Sequence, residues 1–164
     1  MIGNISRHGG KPRRGLYFIA PDHAYPDRPR QVWSQGQDED SRHWYPCLDF
    51  PNHQQTSEVI VTVPAKMISI GNGELKSVKT KANGQKVYHW YCATPHVTYL
   101  LSVAAGEYTE LQDEWDGIPL QYYVPPGREE DGRAVFKNTP DILRFFSEKT
   151  GVRYPYAKYS QVVV

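Results

Sequence analysis

Gln35-Gly36-Gln37-Asp38-Glu39-Asp40-Ser41-Arg42-His43-Trp44-Tyr45-Pro46-Cys47-Leu48-Asp49-Phe50-Pro51 is a polar segment that leads into an apolar one. On the residues alone, Gln35 and Gln37 read as solvated positions at a strand edge, and Asp38 and Glu39 as a solvated acidic edge. Asp40 and Arg42 are expected to brace the loop through an ion pair. Asp49, between Cys47 and Pro51, suits a turn-capping carboxylate, because aspartate bonds readily to the backbone just beyond it. With 13 Gly, 13 Pro and 12 Tyr in 164 residues, and β-branched residues grouped in short runs, the chain favours strands and turns over a helical bundle.

Working outward, Leu16-Tyr17-Phe18-Ile19-Ala20 precedes the segment as a short strand, and Val59 to Val63, closed by Pro64, follows it as another. Met67 to Ile70 runs up to the turn signal Asn72-Gly73. Asn83-Gly84, between Lys79-Thr80-Lys81 and Lys86 to Tyr91, predicts a hairpin with a type I′ turn. Val97 to Ala104 and Ile118 to Val124 add strands, the second with Ile118, Leu120, Tyr122 and Val124 alternating on one face. After Pro125-Pro126-Gly127 the character changes. Thr139-Pro140-Asp141 offers an N-cap, a first-turn proline and an early acid, Ile142, Leu143, Phe145 and Phe146 supply an apolar side, and Gly151 is a left-handed stop. Tyr159 to Val164 reads as a buried strand. The predicted fold class is mainly β, a saddle-like antiparallel sheet or sandwich followed by a short C-terminal helix and strand.

Charge and ligand chemistry narrow the function by exclusion. Lys plus Arg number 19 against 18 Asp plus Glu, a net charge of +1, which gives no field to gather nucleic acid or an anionic membrane. Cys47 and Cys92 are far apart in sequence and lack the close spacing of zinc ribbons or redox dithiols; both sit among aromatics and read as buried thiols. No histidine among His8, His23, His43, His53, His89 and His96 is followed by Glu, so the HExxH helix that presents two imidazoles to zinc is absent. Neither a GxSxG elbow nor a phosphate-cradling glycine loop occurs. Without a signal-type apolar run near Met1 or a membrane-length apolar stretch, the chain reads as soluble and not exported, which favours a cytoplasmic location.

The order Gln, any residue, Gln or Glu, then Asp-x-Arg, then an aromatic followed by Pro-Cys-x-Asp-x-Pro resembles the recognition segment of the aminopeptidase N family of zinc peptidases, peptidase family M1. Gly15-Leu16-Tyr17, Ser57 to Pro64 and Thr98-Tyr99-Leu100 to Gly106 are similar to successive strands of that family's amino-terminal domain. Thr139 to Phe146 and Gly151 to Tyr159 resemble the opening of its thermolysin-like catalytic domain. The resemblance implies that Gln37 helps bind the α-amino group of a peptide substrate and that Gln35 contacts the backbone of its first residues, with Asp40, Arg42 and Asp49 supporting the loop. An amide oxygen accepts from an ammonium but carries no charge, so it orients the amine and leaves most of the charge pairing to carboxylates elsewhere. Many members have Glu where Gln37 stands, and the leukotriene hydrolase branch has Gln.

The family's reaction is hydrolysis of the first peptide bond by a zinc-activated water. Its HExxH motif, its distant Glu ligand and its GxMEN loop would all lie beyond Val164. The expected organisation is therefore an irregular tail over 1–10, part of the amino-terminal β domain over 11–127 and the beginning of the catalytic domain over 128–164. Such a chain supplies recognition and neither catalytic residues nor a metal site of its own; the zinc belongs to the full-length family. Exposed sheet edges are expected to pair copies of the chain. The alternative reading is a non-catalytic protein-binding β module built on the same scaffold.

Overall fold

The computed structural model describes residues 14–164. The tail expected over 1–10, with His8, lies outside the described residues. Packing divides the chain into two units, one ending at Gly106 and one comprising Glu107–Val164. This division falls earlier than the change of character read from the sequence at 125–132, because the strand before that point pairs with the last strand of the chain.

In the first unit, β1 (Gly15–Ile19), β2 (Gln31–Gln35), β4 (Ile68–Gly71) and β7 (Val103–Gly106) form an antiparallel sheet in the order β1-β2-β7-β4. A second sheet has the order β3-β6-β5, from β3 (Gln54–Val63), β5 (Glu74–Thr80) and β6 (Lys86–Val97). Period-2 alternation sends Val61, Val63, Tyr88 and Trp90 inward, where they meet Ala105, Met67 and Ile68 in one cluster. Gly71 lies so close to Trp90 that a β-carbon on it would come within 2.8 Å of the indole ring. The two sheets therefore pack face to face, as a sandwich requires. The run Val97 to Ala104 is not one strand: a 3-10 turn at Thr98–Leu100 interrupts it.

The Asn83-Gly84 hairpin joins β5 to β6, but not through a type I′ turn. Gly84 alone has positive φ; Lys81 N donates to Gln85 O, and Gly84 N to Lys81 O. This is the three-residue loop that ends in a left-handed glycine. The two-residue turn with both central residues at positive φ is Asp116-Gly117, which links Trp115 directly to Ile118.

In the second unit, β8 (Thr109–Trp115) pairs antiparallel with β9 (Ile118–Val124), and β9 pairs parallel with β10 (Tyr159–Val162). Ile118, Leu120, Tyr122 and Val124 are all buried, Leu120 completely (0% exposed). They pack with Leu111 and Leu143. Two helices accompany the sheet, α1 (Glu129–Phe136) and α2 (Thr139–Thr150), where one was expected. Helix α2 begins one residue early, with Asn138 at its N-cap, and ends at Gly151 in the left-handed conformation. Of its apolar side only Leu143 is buried; Ile142, Phe145 and Phe146 are exposed. β10 is half-buried rather than buried, as suits an edge strand. Among the described residues no helix is long and apolar enough to cross a membrane.

Candidate functional site

Gln35 closes β2 opposite Gly15 of β1, after which the chain leaves the sheet and turns. Gly36 is buried between two exposed glutamines. A β-carbon on Gly36 would lie 2.4 Å from Ser41 Oγ and 2.9 Å from the Cα of Tyr99, so only glycine fits without moving the backbone beneath it. Gly36 O then accepts from Asp40 N at 2.9 Å and closes the turn. Gly15, at φ 77°, leaves room on the other side: a β-carbon there would strike Asp40 O at 2.4 Å. The turn thus displays the side chains of Gln35 and Gln37, and neither has a hydrogen-bond partner among the described residues.

Beneath the turn lies a polar hub. A 3-10 turn at Ser41–His43 starts with Ser41, whose Oγ donates to Thr98 O at 3.1 Å. Tyr45 OH donates to the same carbonyl, also at 3.1 Å. Thr98 Oγ1 donates to Asp49 Oδ1 at 2.6 Å, while Asp49 Oδ2 accepts from the Arg42 backbone N–H at 3.0 Å and from Arg42 Nε at 3.4 Å. Arg42 Nη2 reaches Asp49 O at 2.9 Å. Asp49 and Thr98 are buried, 3% and 1% exposed. Burial alone would raise the Asp49 pKa; the bonds from Thr98, the Arg42 amide and the guanidinium outweigh it and hold the carboxyl below its ordinary value. Burial, followed by the neighbouring Cys47, pushes the Tyr45 phenol well above its usual range. The Cys47 thiol is raised, first by burial and then by Asp49.

The ion pair expected between Asp40 and Arg42 does not form. On a helical turn, residues three apart face each other and residues two apart do not. Arg42 accordingly pairs with Glu39 at 2.6 Å, and Asp40 approaches His43 at 3.7 Å and Arg14 at 3.9 Å. Glu39 is thus an ion-pair partner and not simply part of a solvated acidic edge. Asp49 is not a local turn cap; its partners lie 7 and 49 residues away in sequence, so it ties the loop to a distant part of the unit. Asp40, Arg42 and Asp49 do all lie under or beside the Gln35–Gln37 turn. Ser41 and Thr98, which complete the hub, were not singled out from the sequence; the available signal was a threonine breaking the apolar run from Val97 to Ala104.

His96 and His89 have partners of their own away from this hub. His96 is buried, with Nδ1 3.0 Å from Val97 O and Nε2 2.9 Å from Ser57 Oγ. Nδ1 therefore carries a proton, because a carbonyl oxygen only accepts. His89 pairs with Glu58 at 2.6 Å. Cys92 is buried, whereas Cys47 is only partly so, and neither is in a disulfide. Among the described residues no group of three or more His, Cys, Asp or Glu side chains is arranged to hold a metal ion.

Residues 5–100 match a protein-family model described as the Peptidase M1 N-terminal domain. The chain is similar to an aminopeptidase N of Acetobacter pasteurianus, 29% identical over 94% of this chain and 43% of that protein. It is also similar to transcription initiation factor TFIID subunit 2 of Gallus gallus, 27% identical over 94% of this chain and 13% of that protein. Aminopeptidase 2, mitochondrial, of Saccharomyces cerevisiae is 27% identical over 76% of this chain and 13% of its own length. The chain therefore spans less than half the length of each of these relatives.

Proposed function

This chain belongs to the Peptidase M1 N-terminal domain family, and on that premise we propose that it supplies the surface on which an aminopeptidase holds the free amino terminus of a peptide. The observation that carries this reading is the exposed Gln35-Gly36-Gln37 turn, its two amides unpartnered among the described residues and its backbone fixed from below by Gly36 and the Asp49 hub. A surface amide with no role in folding is free to accept from a ligand's ammonium. In this reading residues 128–164 open the catalytic domain, and the zinc with its ligands belongs to a part of the whole protein other than the residues described.

The test is a titration with glycylglycylglycine amide against its N-acetylated form near pH 6, where the free amine is protonated, followed through backbone amide shifts of Gln35 to Gln37. A hydrogen bond to a charged group contributes about 1.5 to 3 kcal/mol, so the free amine is expected to bind roughly tenfold or more tightly. Gln37→Ala is expected to remove the preference. Gln37→Glu is expected to enlarge it, since a carboxylate adds charge attraction to the same contact. Equal shifts with both peptides count against the reading.

The similarity to TFIID subunit 2 over nearly the whole chain favours a second reading. One scaffold occurs in proteins named as aminopeptidases and in a protein named as a transcription factor subunit, so a non-catalytic binding module is the alternative. Zinc content and hydrolysis of an alanyl chromogenic substrate by the whole protein separate the two: both present for a peptidase, neither for a module.

A further inference from the structure

Two residues before Gln35 on β2 stands Trp33, paired across the ladder with Tyr17 of β1. The two rings stack with centroids 4.3 Å apart and an interplanar angle of 18°. Both side chains are only partly buried. Because strand side chains alternate, Trp33 and Gln35 point to the same face, and so do Tyr17 and Gly15. Gly15 has no side chain, and the space its β-carbon would take opposite Gln35 is filled by Asp40 O and the Trp44 ring, so the aromatic pair stands as the next wall along the ladder. Residues two apart on a strand lie about 7 Å from each other, which is the separation of Trp33 from Gln35 along β2.

We infer that the Tyr17–Trp33 stack is a subsite for an apolar or aromatic side chain of a bound peptide, at the third or fourth residue from its amino terminus. The inference rests on the reading of Gln35 and Gln37 given above. A peptide whose amine is held at Gln37 and whose backbone passes Gln35 runs back along β2. Trp33 lies about 7 Å behind Gln35 on the same strand, and Gln37 lies further on, past the end of β2. The first side chain of the peptide therefore cannot reach the stack, and one about two or three positions further on can. The stacked rings are a rigid, flat, apolar surface with little side-chain entropy left to lose, which suits a face-on or edge-on contact with another ring. Long peptides with an apolar third residue are thus preferred, and dipeptides gain nothing from this surface.

The test uses the full chain and three probes: glycylglycine amide, glycylglycylglycine amide and glycylglycylphenylalanine amide, each titrated with calorimetry and with the indole N–H resonance of Trp33. The phenylalanine peptide is expected to bind about tenfold more tightly than the triglycine peptide and to shift the Trp33 signal, which the dipeptide leaves in place. Trp33→Ala is expected to abolish the tenfold advantage, and Trp33→Phe to retain most of it. Should Trp33→Ala fail to fold, the comparison of phenylalanine with triglycine peptide on the unaltered chain still decides the matter, and Tyr17→Ser repeats the subtraction from the other ring. Equal affinity of those two peptides overturns the subsite while leaving the amine site standing. Failure of every free-amine peptide to bind overturns the reading of Gln35 and Gln37 and the subsite with it.

Discussion

Replacing Asp49 with alanine is expected to lower the unfolding free energy by about 3 kcal/mol, read from urea transitions at neutral pH. The carboxylate is the acceptor for the Thr98 hydroxyl and the Arg42 backbone N–H, and both bonds are lost together. Thr98 is buried and has no access to water, so its hydroxyl is left unsatisfied, at about 1 to 3 kcal/mol. The Arg42 side chain is 44% exposed and can turn to solvent and to Glu39, so the ion pair itself contributes little to the loss. Asn at position 49 is not a remedy: its amide NH2 faces donors on one side, and it is expected to recover only part of the difference. The acid limb of the stability curve supplies a second check. Because the folded pKa of Asp49 is depressed, its contribution is fully present above the unfolded value of about 3.9. It is lost as pH falls through the lower folded value. The gap between the original chain and Asp49→Asn should therefore stay constant from pH 7 to about pH 4 and narrow below that. A gap unchanged down to pH 2 would falsify the assignment of the carboxylate as the hub's charged acceptor.

What the sequence reveals of this molecule depends on whether the decisive contact is local. The alternation of Ile118, Leu120, Tyr122 and Val124 is a period-2 pattern with one face buried, and all four are in the core. Gly151 stops α2 in the left-handed conformation for a reason that belongs to glycine alone. By contrast β8 carries Leu111 as its only buried residue and shows no alternation that a reader could use. Helix α1 is hidden for a related reason. Its closest approach to the sheet is at Gly132, where a β-carbon would lie 2.7 Å from Val124 Cγ1, and its apolar contact is concentrated in Phe136, stacked on Tyr122, so no apolar stripe marks it in the sequence. Asp116-Gly117 carried the same hairpin signal as Asn83-Gly84 and is the true two-residue turn. The difference lies in the number of residues that must be spanned between the paired strands, which neither dipeptide encodes.

The candidate site divides along the same line. Gln35 and Gln37 stand out in the sequence through the order of residues around them, and Asp40, Arg42 and Asp49 stand out as polar residues of the same loop. Their partners were not. Arg42 has acidic residues on both sides in sequence, and the choice of Glu39 and Asp49 over Asp40 follows from the 3-10 turn, whose first residue, Ser41, is bonded to Thr98. The Thr98 to Asp49 bond joins residues 49 apart, beyond the reach of any local pattern.

Gly36→Ala is expected to cost about 2 to 3 kcal/mol and to abolish the preference for free-amine peptides, the one substitution that ties the scaffold to the proposed activity. Alanine at an ordinary turn position is nearly neutral, and nothing marks Gly36 as a left-handed residue that alanine would strain. The effect comes from space. The new methyl would stand 2.4 Å from Ser41 Oγ and 2.9 Å from Tyr99 Cα, and 3.1 Å from Tyr99 O. The serine hydroxyl can rotate away at the expense of its bond to Thr98 O, but Tyr99 is the middle residue of the 3-10 turn Thr98–Leu100, which runs on into β7, and its backbone cannot give way as easily. The strain must then be relieved by lifting the Gln35–Gln37 turn, which moves both amides off a ligand whose contacts tolerate little displacement. Combining Gly36→Ala with Ser41→Ala separates the two clashes. The double variant should recover the part due to the hydroxyl, a favourable coupling of about 1 kcal/mol, and leave the peptide preference lost. Full recovery of binding in the double variant would place the constraint in the serine side chain instead of the Tyr99 backbone. The turn would then be a movable loop rather than a fixed one.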